Sequence, residues 1–280
     1  MITLNNLSFT YRKGAQAISN INAAIEPGVH LLMGENGAGK TTLLHLIAGL
    51  LKPSSGNVSI DEYTPIDRSP DLLCDIFLLE EDMHFPARTI NEWADVHGCF
   101  YPNFSRERLA ENLKSFSLTG NENLSSLSLG LEKKSRLAYA LSLGVKLLML
   151  DEPTNGIDIT ARKELRHIIA RNIDDNSTVI IATHTVQDFD SLFDSVILLH
   201  RSNMLVNMTT WQIGQRLLFH ADSLPAYQPL YQEMDGGIYH SISANKTGEE
   251  SQVNIRLLFH ALQSLSRSKI LNTLNNDTQQ

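Results

Sequence analysis

A glycine-rich loop, GENGAGKTT at residues 34–42, constrains the fold of this chain more than any other feature. It fits the pattern G-x-x-x-x-G-K-[ST], and it lies between the apolar run VHLLM and the helical pattern LLHLIAGL. Glycines let the backbone fold tightly and direct its N–H groups at a polyphosphate, and the start of the following helix adds a favourable dipole. The loop therefore predicts an α/β sheet that binds a nucleoside triphosphate beyond the end of a strand.

Two side chains of this loop have specific candidate roles. Lys40 can neutralise the β and γ oxygens of the nucleotide, and the hydroxyl of Thr41 can ligate Mg²⁺. A glycine-rich turn that only caps a helix is the competing interpretation, and the flanking strand and helix disfavour it. The predicted nucleotide-binding residues of the loop are Gly34, Glu35, Asn36, Gly37, Ala38, Gly39, Lys40, Thr41 and Thr42.

A pair of carboxylates follows another apolar run, in the sequence KLLMLDEPTNGID. A buried strand would deliver Asp151 at its carboxyl end, where ligands bind in open α/β sheets. Asp151 is then placed to hold Mg²⁺, and Glu152 is the candidate base that positions and deprotonates the attacking water. A strand that simply ends in solvated acids is the alternative, and the phosphate-binding loop in the same chain disfavours it.

Composition limits the class of protein and its partners. The 280 residues are 42% hydrophobic and 19% charged, as in an ordinary soluble globular protein. No apolar run approaches the roughly 20 residues of a membrane helix, and the opening residues show no signal-peptide pattern, so we expect a cytoplasmic protein. The net charge of −8 disfavours general binding to nucleic-acid phosphates, and no nucleic-acid partner is predicted.

The pattern of apolar residues predicts how the chain is organised. LNNLSFTY and AISNINAAIEPG predict antiparallel strands, and NVSI, IFLL, LLML, TVIIAT and SVILL predict further strands. The last three of these strands alternate with the helical patterns ITARKELRHIIARNI and TVQDFDSLF, which is typical of a parallel sheet. Residues of about 89–144 are helical in pattern and predict a helical insert. Near the end, TTWQIGQRLLF and VNIRLLFHALQSL predict helices, and GGIYHSISAN predicts a strand.

This set of motifs resembles the ATP-binding subunit of ABC (ATP-binding cassette) transporters over about residues 1–205. The phosphate-binding loop is similar to the Walker A motif, and residues 147–152 are similar to Walker B. Residues 155–158, NGID, resemble the D-loop, and His184 in IIATHT resembles the switch histidine. The resemblance implies an α/β P-loop fold with a mainly parallel sheet, an antiparallel β subdomain and a helical insert. Residues 206–280 would form a small α+β C-terminal accessory region.

The segment LSLGL at residues 127–131 resembles the family signature LSGGQ. Ser128 and Gly130 are retained, while Leu129 and Leu131 replace a glycine and a glutamine. By itself the segment predicts a helix N-cap, but a serine hydroxyl and bare N–H groups at a helix start also form an anion cradle. The resemblance implies that this cradle grips the γ-phosphate bound to the loop of another subunit. Ser128 and Gly130 are therefore predicted nucleotide-binding residues, and a monomer should hydrolyse ATP poorly.

Four further positions have roles that the resemblance implies. Tyr11 would stack on adenine, although a strand aromatic packed in the core beside Phe9 is the alternative. His184 would contact the γ-phosphate and support catalysis, although a satisfied core histidine is the alternative. Asp158 would orient residues across a dimer interface, cap the following helix, or do both. Glu80 stands where the family usually has a glutamine that touches Mg²⁺, and a slip of one residue to Glu81 remains open.

The function implied by the resemblance is that of an ATP-binding and ATP-hydrolysing transporter subunit. Two copies, or a copy and a related ATPase subunit, would dimerise around two Mg-ATP and drive a separate transmembrane permease from the inner face of the membrane. The helical insert, with residues 83–86, would contact that permease, and the FYPNF segment at 100–104 favours an exporter-like system. The alternative is a soluble ABC ATPase of DNA repair or translation, which the ordinary insert length and the single cassette disfavour.

Overall fold

The computed structural model describes residues 1–184 and 192–275, so most of the predicted helix TVQDFDSLF lies outside the described residues. The strands are β1 (Ile2–Thr10), β2 (Gln16–Ile25), β3 (Gly28–Met33), β4 (Ser55–Ile60), β5 (Ile76–Leu79), β6 (Leu147–Asp151), β7 (Thr178–Thr183), β8 (Ser195–His200), β9 (Asn203–Thr209), β10 (Leu217–Asp222), β11 (Tyr231–Asp235) and β12 (Ile238–Ala244). The α-helices are α1 (Lys40–Ile47), α2 (Pro70–Leu73), α3 (Ile90–His97), α4 (Arg106–Ser115), α5 (Leu129–Ala140), α6 (Ile159–Asn172), α7 (Thr210–Arg216), α8 (Ile255–Gln263) and α9 (Arg267–Asn275).

A six-stranded sheet with the order β5-β6-β7-β3-β8-β9 lies at the centre of the molecule. The first five strands are parallel and β9 is antiparallel to β8. The apolar runs that predicted β5 to β8 are buried almost throughout, because both faces of this sheet are covered. The predicted mainly parallel sheet is therefore confirmed. Its parallel strands bring the ends of β3, β6 and β7 to one edge.

The antiparallel subdomain is a second sheet with the order β2-β1-β4. Its apolar side chains form one cluster with α1 and one face of the central sheet. Successive residues of β3 point to opposite faces, so Leu32 joins this cluster while Leu31 and Met33 join the cluster on the other side. The helix that follows the glycine-rich loop is thus fixed between two sheets.

The helical insert contains α3, α4 and α5 and has no strand between residues 89 and 144, as predicted. Helix α5 is its central element, because Tyr139 is fully buried and contacts aromatic rings from the sheet and from the loop after β5. Within the described residues, no helix is long and apolar enough to cross a membrane.

The C-terminal region forms a third sheet, with the order β10-β12-β11, together with α7, α8 and α9. Ile213, Leu217 and Ile242 are fully buried in the same apolar cluster as Val196 and Leu198 of the central sheet. The predicted helix TTWQIGQRLLF ends at Arg216, and its last residues belong to β10 instead. The pairing of β10 with β12, from Leu217 opposite Ala244 onward, overrides the helical pattern because it satisfies the backbone groups of both strands.

Candidate nucleotide-binding site

The glycine-rich loop connects β3 to α1 and is closed around its own lysine. Gly37 and Gly39 have left-handed backbones, with φ of 79° and 106°. A Cβ atom at Gly39 would lie 2.4 Å from the carbonyl oxygen of Ala17, so only glycine fits against β2 there. The Nζ of Lys40 donates to the carbonyl of Gly34 at 2.8 Å, and this side chain is 7% exposed. A buried ammonium surrounded by backbone groups is prepared for an anionic ligand.

The predicted metal ligands Thr41 and Asp151 lie next to each other. The hydroxyl of Thr41 donates to Oδ2 of Asp151 at 2.6 Å. Asp151 is buried, and its Oδ1 has no hydrogen-bond partner among the described residues. Burial raises the pKa of the Asp151 carboxyl, against the hydrogen bond from Thr41, which lowers it. A hydroxyl and a buried carboxylate with a free oxygen fit Mg²⁺, which would supply positive charge beside the phosphates.

The carboxylate of Glu152 points into the same place from a strained backbone. Glu152 has a left-handed φ of 46°, and its N–H donates to the carbonyl of Ala182 in β7 at 2.8 Å. Its Oε1 lies 2.8 Å from Nδ1 of His184 and 3.7 Å from Nζ of Lys40. The residue is 7% exposed. Such a carboxylate can accept a proton from a water that attacks a phosphate held by the loop.

These groups line one cleft of about 440 Å³. His184, which is partly exposed, forms part of its wall and is not a core histidine. Tyr11 stands at the edge of the cleft with 43% of its surface exposed, and its hydroxyl lies 2.9 Å from that of Thr42. Phe9 is buried and contacts the Tyr11 ring edge to face at 4.9 Å. Because Phe9 takes the core position, the ring of Tyr11 is available to stack on a base.

The two glutamates after β5 point in different directions. Oε1 of Glu80 lies 2.5 Å from Nε2 of His45, on the last turn of α1, and Glu80 is absent from the lining of the cleft. Glu81 does line the cleft, and its Oε1 accepts a hydrogen bond from Nδ2 of Asn155 at 2.8 Å. Glu80, predicted to lie beside the metal, is thus held by His45 outside the cleft, and of the two glutamates it is Glu81 that lines the cleft.

The signature segment lies outside the cleft. Ser128 is exposed and caps α5, with its hydroxyl accepting from the N–H of Leu131 at 3.4 Å. Leu129 is 77% exposed, so the start of α5 faces solvent in the single chain. A Cβ atom at Gly130 would lie 2.8 Å from the carbonyl oxygen of Gly156, which places the signature directly against the NGID segment. Neither Ser128 nor Gly130 contributes to the cleft of its own chain.

Asp158 joins the signature helix to the loop that follows Glu152. Its Oδ1 accepts from the N–H of Ala161 at 2.9 Å and so caps α6, as one of the two predicted roles requires. Its Oδ2 accepts from Nζ of Lys134 at 2.6 Å, and this hydrogen bond lowers the pKa of the Asp158 carboxyl. The signature helix is thus tied to the NGID segment by an ion pair as well as by close packing.

Two residues near the site were not predicted from the sequence. Lys133 is buried on α5 and donates to the carbonyl of Glu152 at 2.7 Å. His45, the partner of Glu80, is a polar residue in the otherwise apolar end of α1, and that position was a usable signal. Lys133 gave no comparable signal, because it is one of two adjacent lysines near the start of a helix, where lysines are usually solvated.

Comparison with known proteins identifies the family. The profile described as ABC transporter matches residues 18–155. The ABC transporter ATP-binding protein NatA of Bacillus subtilis is 30% identical over 216 residues, which are 73% of this chain and 88% of NatA. The chain belongs to the ABC transporter ATP-binding family. As a family member it is an ATP-binding protein, and the hydrolysis of ATP is the activity of the family.

Other relatives and solved structures agree with this membership in the ABC family. The energy-coupling factor transporter ATP-binding protein EcfA of Methanothermobacter thermautotrophicus is 30% identical and covers 76% of this chain and 72% of EcfA. A dimeric structure of an ATP-binding cassette bound to ADP and Pi is 25% identical, with a TM-score of 0.64, and covers 75% of this chain and 98% of that chain. A putative cobalt transport ATP-binding protein, cbiO-2, is 24% identical with a TM-score of 0.65 and covers 97% of this chain and 100% of that chain, so the fold likeness includes the C-terminal region.

Proposed function

We propose that this ABC protein hydrolyses Mg-ATP in a dimer whose two sites are each built from both chains, and that the dimer drives a separate transmembrane permease. One observation carries the proposal: the phosphate loop, Asp151, Glu152 and His184 share one cleft, while Ser128, which is exposed, and Gly130 both lie outside it. A second chain would have to bring its signature to the mouth of the cleft. ABC ATP-binding subunits as a family dimerise and work with permease components.

Within one cleft, each side chain has a distinct task in hydrolysis. The N–H groups of the loop and Lys40 hold the β- and γ-phosphates, and Thr41 and Asp151 would hold Mg²⁺. The oxygen of a water bonds to the γ-phosphorus as the bond to the bridging oxygen of ADP breaks. Glu152 accepts a proton from that water, and the products are ADP and phosphate. His184, 2.8 Å from Glu152, fixes the carboxylate and reaches toward the γ-phosphate.

The signature segment of the partner chain would supply further groups that stabilise the negative charge of the phosphates. The N-terminus of α5 carries a partial positive charge, and the hydroxyl of Ser128 can donate to a phosphate oxygen. No charged side chain is needed in that cradle, so the replacement of two family positions by Leu129 and Leu131 leaves its anion-binding groups in place. The same cradle on each chain would serve the nucleotide of the other, which gives two equivalent sites in a symmetric dimer.

An apolar groove of about 470 Å³ is the proposed docking site for the permease. It runs between the end of α2, the strand β5 and the helical insert, and its walls include Leu73, Phe77, Met83, Phe100 and Tyr101. A patch of this kind fits the apolar face of a short helix. Among residues 83–86, Met83 lines the groove, but Phe85 is buried and stacked on Trp93 at 4.8 Å. The exposed aromatic in the wall of this groove is Phe100, which is 62% exposed.

The finer features of the proposal extend the predictions made from the sequence. Residues 1–205 form the ATP-binding domain, with a helical subdomain at about 89–144, and residues 206–280 form an accessory region. The protein lies in the cytoplasm, peripheral on the inner face of the membrane, and the system is exporter-like. Transport by the chain and its permease in proteoliposomes of known orientation tests that direction.

The dependence of ATP hydrolysis on protein concentration tests the composite dimer. If two chains build each site, the specific ATPase activity should rise with protein concentration and level off once the dimer is saturated. A Lys40→Ala variant should stay at background at every concentration, since it lacks the loop cation. A specific activity that is constant from nanomolar to micromolar protein would contradict the proposal. Copurification of a multi-span membrane protein with this chain tests the permease.

A further inference from the structure

We propose that Lys133 is a positioning residue for ATP hydrolysis, which holds the backbone of Glu152 and connects that base to the signature helix. The inference rests on the function proposed above for Glu152. Its basis is one hydrogen bond: Nζ of Lys133 donates to the carbonyl oxygen of Glu152 at 2.7 Å. Lys133 lies on the second turn of α5, the helix that begins just after Ser128.

The burial of Lys133 is unusual for a lysine and calls for a specific role. The residue is 7% exposed, and in the described part of the chain no carboxylate lies within 4.0 Å of its ammonium. Burial lowers the pKa of Lys133, while the more distant Glu81, Asp82 and Glu152 act to raise it and Arg136 acts to lower it. A buried cation is costly unless it is hydrogen-bonded, so the Glu152 carbonyl is a contact that the fold maintains.

This contact controls the direction of the Glu152 side chain. The left-handed φ of 46° is uncommon for a residue with a side chain, so the surrounding structure must hold it. The N–H of Glu152 is held by Ala182, and its carbonyl is held by Lys133. Without the second anchor, the following peptide can rotate. The carboxylate would then leave its place beside His184 and Lys40.

The same contact connects the two halves of the proposed composite site. Helix α5 carries Ser128, which would touch the nucleotide of the partner, and Lys133, which touches the base that acts on the nucleotide of its own chain. A displacement of the helix start by a partner nucleotide is thereby transmitted to the backbone of Glu152. Lys133 acts through Glu152 and does not itself contact the reacting atoms.

Three variants test this role by hydrolysis and by ATP binding. Lys133→Met, which keeps the apolar chain and removes the donor, should lower kcat by about tenfold or more, because small displacements of a catalytic group are costly. The Kd for a fluorescent ATP analogue should stay unchanged, since the loop does not involve Lys133. Lys133→Arg, which keeps a donor, should recover most of the turnover. Lys114→Met, an exposed lysine on α4, is the matched control and should behave as wild type.

A double-mutant cycle separates positioning from general structural damage. In a Glu152→Gln background, measured by single turnover, Lys133→Met should cause no further loss, because the base it positions is already gone. A loss that multiplies with that of Glu152→Gln would overturn the inference. Thermal unfolding checks that each variant folds. If Lys133→Met does not fold, Lys133→Gln replaces it, because the shorter glutamine amide does not reach the carbonyl of Glu152.

The failures of the two proposals are distinguishable. If Glu152→Gln is inactive while Lys133→Met turns over like wild type, the inference about Lys133 fails and the proposed function stands. If Glu152→Gln turns over like wild type, Glu152 is not the base, and both proposals fall.

Discussion

The cleft and the signature segment each contain the N-terminus of a helix, but they differ in what surrounds it. At the start of α1, Lys40 is buried and the loop is closed around it. At the start of α5, Ser128 and Leu129 are exposed. Under the proposed function, the first site holds a nucleotide by itself, because its charged groups are already in place. The second would act only on a nucleotide that another chain brings to it.

The two regions are nevertheless in contact within one chain. Gly130 packs against Gly156, and Lys134 pairs with Asp158, so the signature lies directly against the loop after Glu152. Lys133 adds a third contact, to Glu152 itself. The difference between a buried half-site and an exposed half-site, joined in this way, is what a composite dimer requires.

The largest effect is expected from removing the base in the cleft. Glu152→Gln should lower hydrolysis by about a hundredfold or more and leave ATP binding intact, because the amide cannot accept the proton while the loop still grips the phosphates. Turnover and equilibrium ATP binding are measured on the same preparation, with Glu107→Gln, an exposed glutamate on α4, as the control. Turnover near that of wild type would remove Glu152 from its role.

A smaller effect is expected from crowding the contact between the two regions. In Gly130→Ala, the new methyl group would lie 2.8 Å from the carbonyl oxygen of Gly156, so the signature must move relative to the NGID segment. We expect hydrolysis to fall by about tenfold, with unchanged ATP binding by the single chain. Parallel loss of binding would mean that the two regions are not separate half-sites.

The two glutamates after β5 provide a matched pair with a still smaller effect. Glu81→Gln should raise the Mg²⁺ concentration for half-maximal activity by about threefold to tenfold, because a carboxylate facing the cleft is a better ligand for a hard cation than an amide. Glu80→Gln should leave that midpoint unchanged, since Glu80 is held by His45. Mg²⁺ titrations at saturating ATP decide between them. A shift for Glu80→Gln alone would return the metal role to Glu80.

The smallest effect concerns the pH dependence of the Lys134–Asp158 ion pair. The hydrogen bond from Lys134 lowers the pKa of Asp158 in the folded chain. Its stabilisation is therefore present above the unfolded pKa of about 3.9 and is lost as the pH falls through the lower folded value. Because Asp158 is largely exposed, we expect the ion pair to contribute at most about 1 kcal/mol to the free energy of unfolding.

Chemical unfolding of wild type and Lys134→Met at several pH values measures the contribution of this ion pair to the free energy of unfolding. The stability difference should be present at neutral pH and should shrink toward the most acidic pH at which the protein still folds. A difference that grows on acidification would contradict the sign of the shift.

The parts of the site that follow directly from a strand were predictable from sequence. Lys40, Thr41, Asp151 and Glu152 are placed by a buried strand and the turn after it, and both elements are encoded locally. The register after β5 was not predictable, because the direction of Glu80 depends on His45, which lies 35 residues earlier.

The role of Lys133 and the strand β10 were also beyond the sequence pattern. The partner of Lys133 is a backbone carbonyl on a distant loop. Every residue has such a carbonyl, so the residue types do not indicate this contact. LLF at residues 217–219 continues a helical pattern, and only its pairing with β12 makes it a strand. Local sequence patterns therefore predicted the residues of the cleft, while contacts between distant segments determined the role of Lys133 and the strand β10.

Complementation between two inactive variants tests the composite site most directly. Ser128→Arg blocks the cradle but keeps the loop, and Lys40→Ala disables the loop but keeps the cradle, so each protein alone should stay at background. In an equal mixture, half of the dimers combine one intact loop with one intact signature. For independent sites in a symmetric dimer, hydrolysis should then recover to about a quarter of the wild-type rate. A mixture that stays at background, or Ser128→Arg that turns over normally by itself, would contradict the claim that two chains build each site.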